Sequence, residues 1–161
     1  MHNQSEVHPL SIKILTVSLV ILGLNAIFAG SAFIIAPDGE LMHIPLQVLA
    51  RSPFSNFLIP GILLFIFNGI WPLIMAYGIW YKPDRNIFGI INPFKKYHWS
   101  FAGSLSAGVV LIAWILIQVQ WLPFEVLHGI CLAWGILIIS ISLLRSGKLN
   151  WFRKVRINLP E

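Results

Sequence analysis

The stretch from residue 52 to residue 81 carries no charged side chain, and it is the feature that most constrains the fold. A helix rises about 1.5 Å per residue and a bilayer core is about 30 Å thick, so roughly 20 apolar residues cross it. The uncharged stretch is therefore long enough to span a membrane with length to spare. Because it contains Pro60 and Pro72, we expect this helix to be tilted or kinked.

Three further uncharged runs of spanning length cover residues 14–37, 97–124 and 126–144. The whole chain is 57% hydrophobic and 11% charged, whereas soluble domains are about 25% charged. The sequence therefore predicts an all-α membrane protein, a four-transmembrane-helix bundle that forms a single domain over residues 1–161. The predicted spans are 12–36, 53–81, 97–122 and 124–144, and a basic tail follows at 145–161.

Small residues four positions apart occur in several of these spans. Such pairs let two helix backbones approach closely in a membrane. The pairs that we interpret in this way are Ala26/Gly30, Gly103/Ala107, Ser104/Gly108 and Gly129/Ala133.

The segment between the first two spans, residues 37–52, combines apolar and polar residues at helical spacing. Its apolar positions are Leu41, Ile44, Val48 and Leu49. We interpret it as a short amphipathic segment on the outer membrane surface, broken by Pro45. Ser52 and Pro53 then have the order of an N-cap and a first helical residue, which predicts that helix two begins at Pro53.

Lysine and arginine residues predict the orientation, because they collect on the cytoplasmic side of membrane proteins. Nine of them lie in the 82–96 loop and the 145–161 tail, whereas the 37–52 segment has only Arg51. We therefore expect a multi-pass protein of the cell inner membrane with both termini in the cytoplasm. The net charge of +5 is explained by this orientation and predicts no nucleic-acid partner. The lone Cys131 cannot form an intrachain disulfide.

Polar side chains near the outer ends of the spans, together with one deep amide, form a candidate pocket for a ligand or partner. Its predicted residues are Arg51, Asn68, Gln118, Gln120 and Trp121. The expected occupants are a lipid, a quinone-like molecule or another membrane protein. The alternative is that these groups only bond neighbouring helices. Asn68 would then satisfy the carbonyl freed by Pro72, or pair with Asn25.

Two Glu-x-x-His motifs, Glu40–His43 and Glu125–His128, suggest a metal site. On a helix this spacing places a carboxylate and an imidazole on one face, as in dimetal helix bundles. The alternative is that Glu125 stabilises the positive N-terminus of helix four, while Glu40 and His43 face water. A salt bridge from Arg51 to Glu125 is a third interpretation. The sequence identifies no cofactor.

No complete catalytic pattern is present in the sequence. It contains no CxxC, no GxSxG, no HExxH and no glycine-rich phosphate loop, and no span has a central charged residue. The leading prediction is a non-enzymatic membrane subunit that binds a lipid, a hydrophobic ligand or a partner. One alternative is a metal-dependent or redox component that uses the two Glu-x-x-His motifs. The other is an oligomeric channel or transporter subunit.

The run SPFSNFLIPG at residues 52–61, with Ile117-Gln118 near the end of the third span, resembles a family of small bacterial inner-membrane proteins. Members of that family have four helices and an SPF–(Asp/Asn)–(Tyr/Phe)–LIPG segment that opens helix two. They enter helix four through a Leu-Gln-Pro type segment, where this chain has WLPFEVLHG. The family has no assigned activity, so the resemblance implies fold and location only. The architecture is also loosely similar to DoxX-like proteins.

Overall fold

The computed structural model describes residues 9–81 and 99–143, and within them it shows four long helices and no strand. Each helix is long and apolar enough to cross a membrane, which confirms the predicted all-α four-helix fold. The helices are α1 (Leu10–Ile35), α2 (Leu58–Tyr81), α3 (Trp99–Gln118) and α4 (Val126–Leu143). The predicted 82–96 loop and the 145–161 tail lie outside the described residues.

The helices pack antiparallel in chain order, and glycines make the closest approaches. A Cβ at Gly30 would lie 2.9 Å from the Gly61 carbonyl oxygen, and a Cβ at Gly108 would lie 3.0 Å from the Gly135 oxygen. These two contacts confirm the close approach predicted at Gly30 and Gly108. The prediction for Gly129 was wrong, because a Cβ there would meet only the ring of Phe124, at 3.7 Å or more.

The buried core lies at the end of the bundle away from the 36–57 segment. Its fully buried members include Ile12, Leu15, Met75, Ile79 and Ile138. These residues come from the first half of α1 and the second halves of α2 and α4. The opposite end, where residues 36–57 and 119–125 lie, is named the loop end below.

Helix α2 begins at Leu58, so the prediction that it begins at Pro53 was wrong. The Ser52 hydroxyl accepts a hydrogen bond from the Phe54 N–H at 3.2 Å, which forms a local turn instead of a helix cap. The Phe57 N–H donates to the Pro37 carbonyl at 2.8 Å, and the Phe57 ring stacks on Phe33 at 4.8 Å. These contacts hold residues 53–57 against the end of α1, where they cannot continue the line of α2.

Residues Leu64–Ile70 of α2 form a π-helix, and the Trp71 N–H donates to the Ile66 carbonyl five residues earlier. A π-helix accommodates one extra residue in the same number of turns. Two contacts with α1 explain the need for it. Gly30 meets Gly61, and a Cβ at Gly23 would lie 2.9 Å from the Gly69 oxygen.

The two contact points are therefore seven residues apart on α1, from 23 to 30, and eight residues apart on α2, from 61 to 69. Two turns of α-helix contain about 7.2 residues, so an eight-residue interval in α geometry would rotate one glycine away from α1 by about 80°. The π-segment absorbs the extra residue and keeps both glycines on the α1 face. Neighbouring Asn68 is brought into the bundle, where it is 1% exposed.

The 37–52 segment forms two short 3-10 turns, Glu40–Met42 and Leu46–Leu49. The predicted break at Pro45 is confirmed, since Pro45 is extended between them. The amphipathic segment is therefore not one α-helix. Gly39 adopts φ +83° and its carbonyl accepts the Ile44 N–H at 3.1 Å, which closes a tight loop around the first turn.

Candidate functional site

The loop end contains a cleft of about 390 Å³ between two segments that are about seventy positions apart in the chain. One wall comes from the turn after Pro45, and the other comes from the connection between α3 and α4. The lining residues are Gln47, Val48, Ala50, Arg51, Val119, Gln120, Trp121, Leu122 and Pro123.

The first wall is fixed by the second 3-10 turn. Leu49 is buried and anchors this turn to the bundle, while its carbonyl accepts the Ser52 N–H at 2.8 Å. The Ala50 N–H donates to the Gln47 carbonyl at 3.1 Å. Because the inward-facing Leu49 fixes the turn, the side chains of Gln47 and Arg51 remain exposed.

The second wall is fixed by the way α3 ends. The Gln118 carbonyl accepts hydrogen bonds from the N–H groups of Trp121 at 3.1 Å and Leu122 at 2.9 Å. These bonds tighten the last turn, which is a common way to satisfy the carbonyls at a helix end. Pro123 has no N–H to donate, so the helix cannot continue through it. Gln120 and Trp121 are consequently held on a turn.

An aromatic pair connects the two walls. The rings of Phe54 and Trp121 meet edge to face, with centroids 6.4 Å apart and planes at 84°. Such a geometry is favourable because the positive edge of one ring meets the negative face of the other. Tryptophan is also the residue type that favours the membrane–water interface. The cleft therefore lies beside an aromatic contact that contains a residue type typical of the membrane interface.

The chemistry of the cleft is amphipathic, with one cation, two amides and several aliphatic side chains. In the part of the chain that the structure describes, the Arg51 guanidinium makes no hydrogen bond or ion pair. The Gln120 amide donates to the Leu116 carbonyl at 3.2 Å, so its oxygen is left as an acceptor. Val48 and Leu122 supply apolar lining. The arrangement suits a molecule with an anionic or hydrogen-bonding head and an apolar body.

Of the five predicted pocket residues, the cleft brings together Arg51, Gln120 and Trp121. Gln118 is near them in sequence but does not line the cleft, and Asn68 lies in the π-segment of α2. The prediction did not include Gln47 in the pocket. Its position one turn before Arg51, on the polar side of the amphipathic segment, was the available signal.

The predicted pairing of Asn68 with Asn25 was wrong. Asn25 is exposed on the outside of α1, and its amide donates to the Ile21 carbonyl of its own helix at 2.8 Å. Neither Oδ1 nor Nδ2 of Asn68 has a hydrogen-bond partner among the described residues. The Asn68 amide therefore does not donate to the carbonyl that Pro72 frees.

The structure does not group the side chains of the two Glu-x-x-His motifs, all four of which lie within the described residues. Glu40 begins a 3-10 turn and His43 adopts φ +54°, so these two side chains do not share a helical face. At the second motif, His128 Nδ1 accepts the backbone N–H of Glu125 at 3.0 Å, which caps the start of α4. Among the described residues, no three His, Cys, Asp or Glu side chains are grouped to hold a metal ion.

The motif at 125–128 is therefore a local helix-start signal. His128, the third residue of α4, accepts the N–H of Glu125, the residue that precedes the helix, as in a capping box, with an imidazole in place of a carboxylate. The described residues include no ion pair between Arg51 and Glu125, so the prediction of a salt bridge between them was wrong. The guanidinium and the carboxylate are both exposed.

Comparison of the chain with protein-family models, curated proteins and solved structures gave no match. The family resemblance of residues 52–61 therefore stays a prediction.

Proposed function

We propose that this protein is a non-enzymatic membrane subunit whose loop-end cleft binds the head of an anionic lipid. The observation that carries the proposal is the exposed Arg51 guanidinium, which has no described partner and lines a cleft of about 390 Å³. Arginine presents five N–H donors in a planar fork that matches phosphate oxygens two at a time. Among the residues that the structure describes, it is the only charged one that lines the cleft.

The remaining lining supports a lipid rather than a free anion. Val48, Val119 and Leu122 provide aliphatic contacts beside the charged group, and Trp121 has the residue type of a membrane interface. A phospholipid places its phosphate at the interface and its chains in the adjoining hydrocarbon, so one molecule would engage both parts of the lining. A quinone-like molecule or a partner membrane protein would instead use the Gln120 amide and the apolar lining without needing the cation.

The proposed location is the inner membrane of a bacterium, with both termini in the cytoplasm and the cleft on the outer side. It rests on the distribution of lysine and arginine along the sequence and on the resemblance of residues 52–61. Cysteine-accessibility labelling tests it: a cysteine introduced at Gln47 should react with an impermeant reagent in intact cells.

Lipid retention measured by native mass spectrometry tests the binding proposal. Wild-type protein released from nanodiscs of mixed phosphatidylglycerol and phosphatidylcholine should retain phosphatidylglycerol preferentially. Arg51→Ala should lose this preference, and Arg51→Lys should keep part of it, because an ammonium supplies the charge without the bidentate fork. Gln118→Ala is the matched control, because Gln118 lies beside the cleft without lining it.

The outcomes separate the possible occupants. Equal retention of phosphatidylglycerol by wild type and Arg51→Ala would refute the lipid-head proposal. If a quinone is extracted with the protein and is lost in Gln120→Ala but not in Arg51→Ala, the cleft binds a neutral amphipathic molecule instead.

A further inference from the structure

Asn68 is the most deeply buried amide of the described chain, and no described residue supplies it with a hydrogen-bond partner. Its side chain is 1% exposed, and neither the amide nitrogen nor the amide oxygen has a partner among the described residues. A primary amide offers two N–H donors and an acceptor oxygen. Leaving such a group unbonded inside a membrane bundle is strongly unfavourable, so buried polar groups nearly always have a partner.

A second unsatisfied group lies next to it in the backbone. In an α-helix the Phe67 carbonyl would accept the Trp71 N–H, but that N–H donates to Ile66 in the π-segment. The next possible donor is residue 72, a proline, which has no N–H. The Phe67 carbonyl therefore has no main-chain donor within α2. The extra residue of the π-segment and Pro72 act together to free it.

We propose that the Asn68 amide and the free backbone carbonyl of Phe67 form an internal binding site for water within the bundle. The occupant must be small, since Asn68 is closed off from the lipid, and it must both donate and accept hydrogen bonds. Water meets both requirements, and a buried water typically bonds two to four polar groups of this kind. π-helical segments occur frequently at functional sites. In α2 the extra residue of the π-segment both aligns the contact glycines with α1 and frees the Phe67 carbonyl.

Magnetisation transfer from water to side-chain amides, measured by NMR on the protein in lipid nanodiscs, tests the proposal. The Asn68 amide protons should receive magnetisation from water, and Asn68→Leu identifies their signals by removing them. Asn25 is the matched control, because it is an asparagine of the neighbouring helix whose amide already bonds the Ile21 carbonyl. Absence of transfer to Asn68 in the wild-type protein would overturn the proposal.

Deletion of Ile66 tests whether the π-segment creates the site. The deletion places the two contact glycines of α2 seven positions apart, so α2 can become a regular α-helix and the Trp71 N–H can return to the Phe67 carbonyl. We expect a folded protein that has lost the water transfer at residue 68 of the original numbering. Transfer that persists in the folded deletion variant would refute the role of the π-segment. If the deletion variant does not fold, the wild-type measurement alone decides whether water binds at Asn68.

Discussion

Alanine at Gly30 should push α1 and α2 apart. The added Cβ would lie 2.8 Å from Phe65 Cβ and 2.9 Å from both the Gly61 oxygen and the Phe65 nitrogen. Two of these three atoms belong to the backbone, so no side-chain rotation relieves the contact. Because non-bonded carbons rest at about 3.5 Å or more, the helices must separate by roughly 0.7 Å.

The magnitude follows from this displacement. A gap of about 0.5–1 Å removes roughly a quarter to a half of each dispersion contact along the face, and overpacking of this kind costs about 1–3 kcal/mol. The higher helix propensity of alanine offsets up to about 1 kcal/mol. We therefore expect Gly30→Ala to lower the free energy of unfolding by about 1–2 kcal/mol. At about 2–4 °C per kcal/mol for this size of chain, the melting temperature falls by about 2–8 °C.

Thermal unfolding in a mild detergent, followed by circular dichroism, measures the effect. Gly129→Ala is the matched control: it makes the same substitution in a transmembrane helix, but the nearest heavy atom to its Cβ is 3.7 Å away. The control should melt at the wild-type temperature or slightly above it. If the two variants lose stability equally, close approach at Gly30 is not what stabilises the α1–α2 interface.

Three further predictions follow from local contacts. His128→Ala should lower the free energy of unfolding by about 1 kcal/mol, because it removes the Nδ1 acceptor at the start of α4. His128→Gln should keep most of the wild-type stability, because glutamine can also accept the Glu125 N–H. Equal melting temperatures for the two variants would contradict a capping role for His128. A double-mutant cycle of Trp71→Phe and Ser106→Ala should give a coupling energy of about 0.6 kcal/mol, because the Trp71 indole donates to the Ser106 hydroxyl at 3.0 Å. A coupling energy of zero would show that this hydrogen bond does not stabilise the bundle. Deletion of Ile66 should leave a folded protein that is monodisperse in size-exclusion chromatography. Deletion of the similarly exposed Leu24 should not, because the loss of Leu24 breaks the seven-residue interval between the contact glycines of α1.

The number and approximate extent of the helices could be predicted from the sequence. A charge inside the bilayer is so unfavourable that uncharged runs of about 20 residues identify the spans without any tertiary information. All four of the predicted starts and ends of α1 and α4 differ from the structure by no more than two residues. The start of α2 could not be predicted in this way, because Ser52 and Pro53 satisfy the local rules for a helix start. Contacts of Phe57 with α1 override those rules.

Three of the five residues predicted for the pocket line the loop-end cleft. Arg51, Gln120 and Trp121 were recognised as polar or interfacial residues at one end of the spans, and the structure places all three around the loop-end cleft. Which of them meet depends on how a turn near residue 48 packs beside a turn near residue 121. Charge and hydropathy patterns do not encode the distance between these two turns. The predicted pocket therefore included Gln118, although Gln118 does not line the cleft.

The sequence alone determined that this chain forms four apolar helices, because length and hydropathy decide what a bilayer accepts. It also determined the break at Pro45, since a proline has the same local effect in any fold. Only the tertiary structure decided the π-segment of α2. That segment exists because two glycine contacts are seven residues apart on α1 and eight apart on α2, and such a mismatch appears only when the two helices are paired. The burial of Asn68 follows from the same pairing.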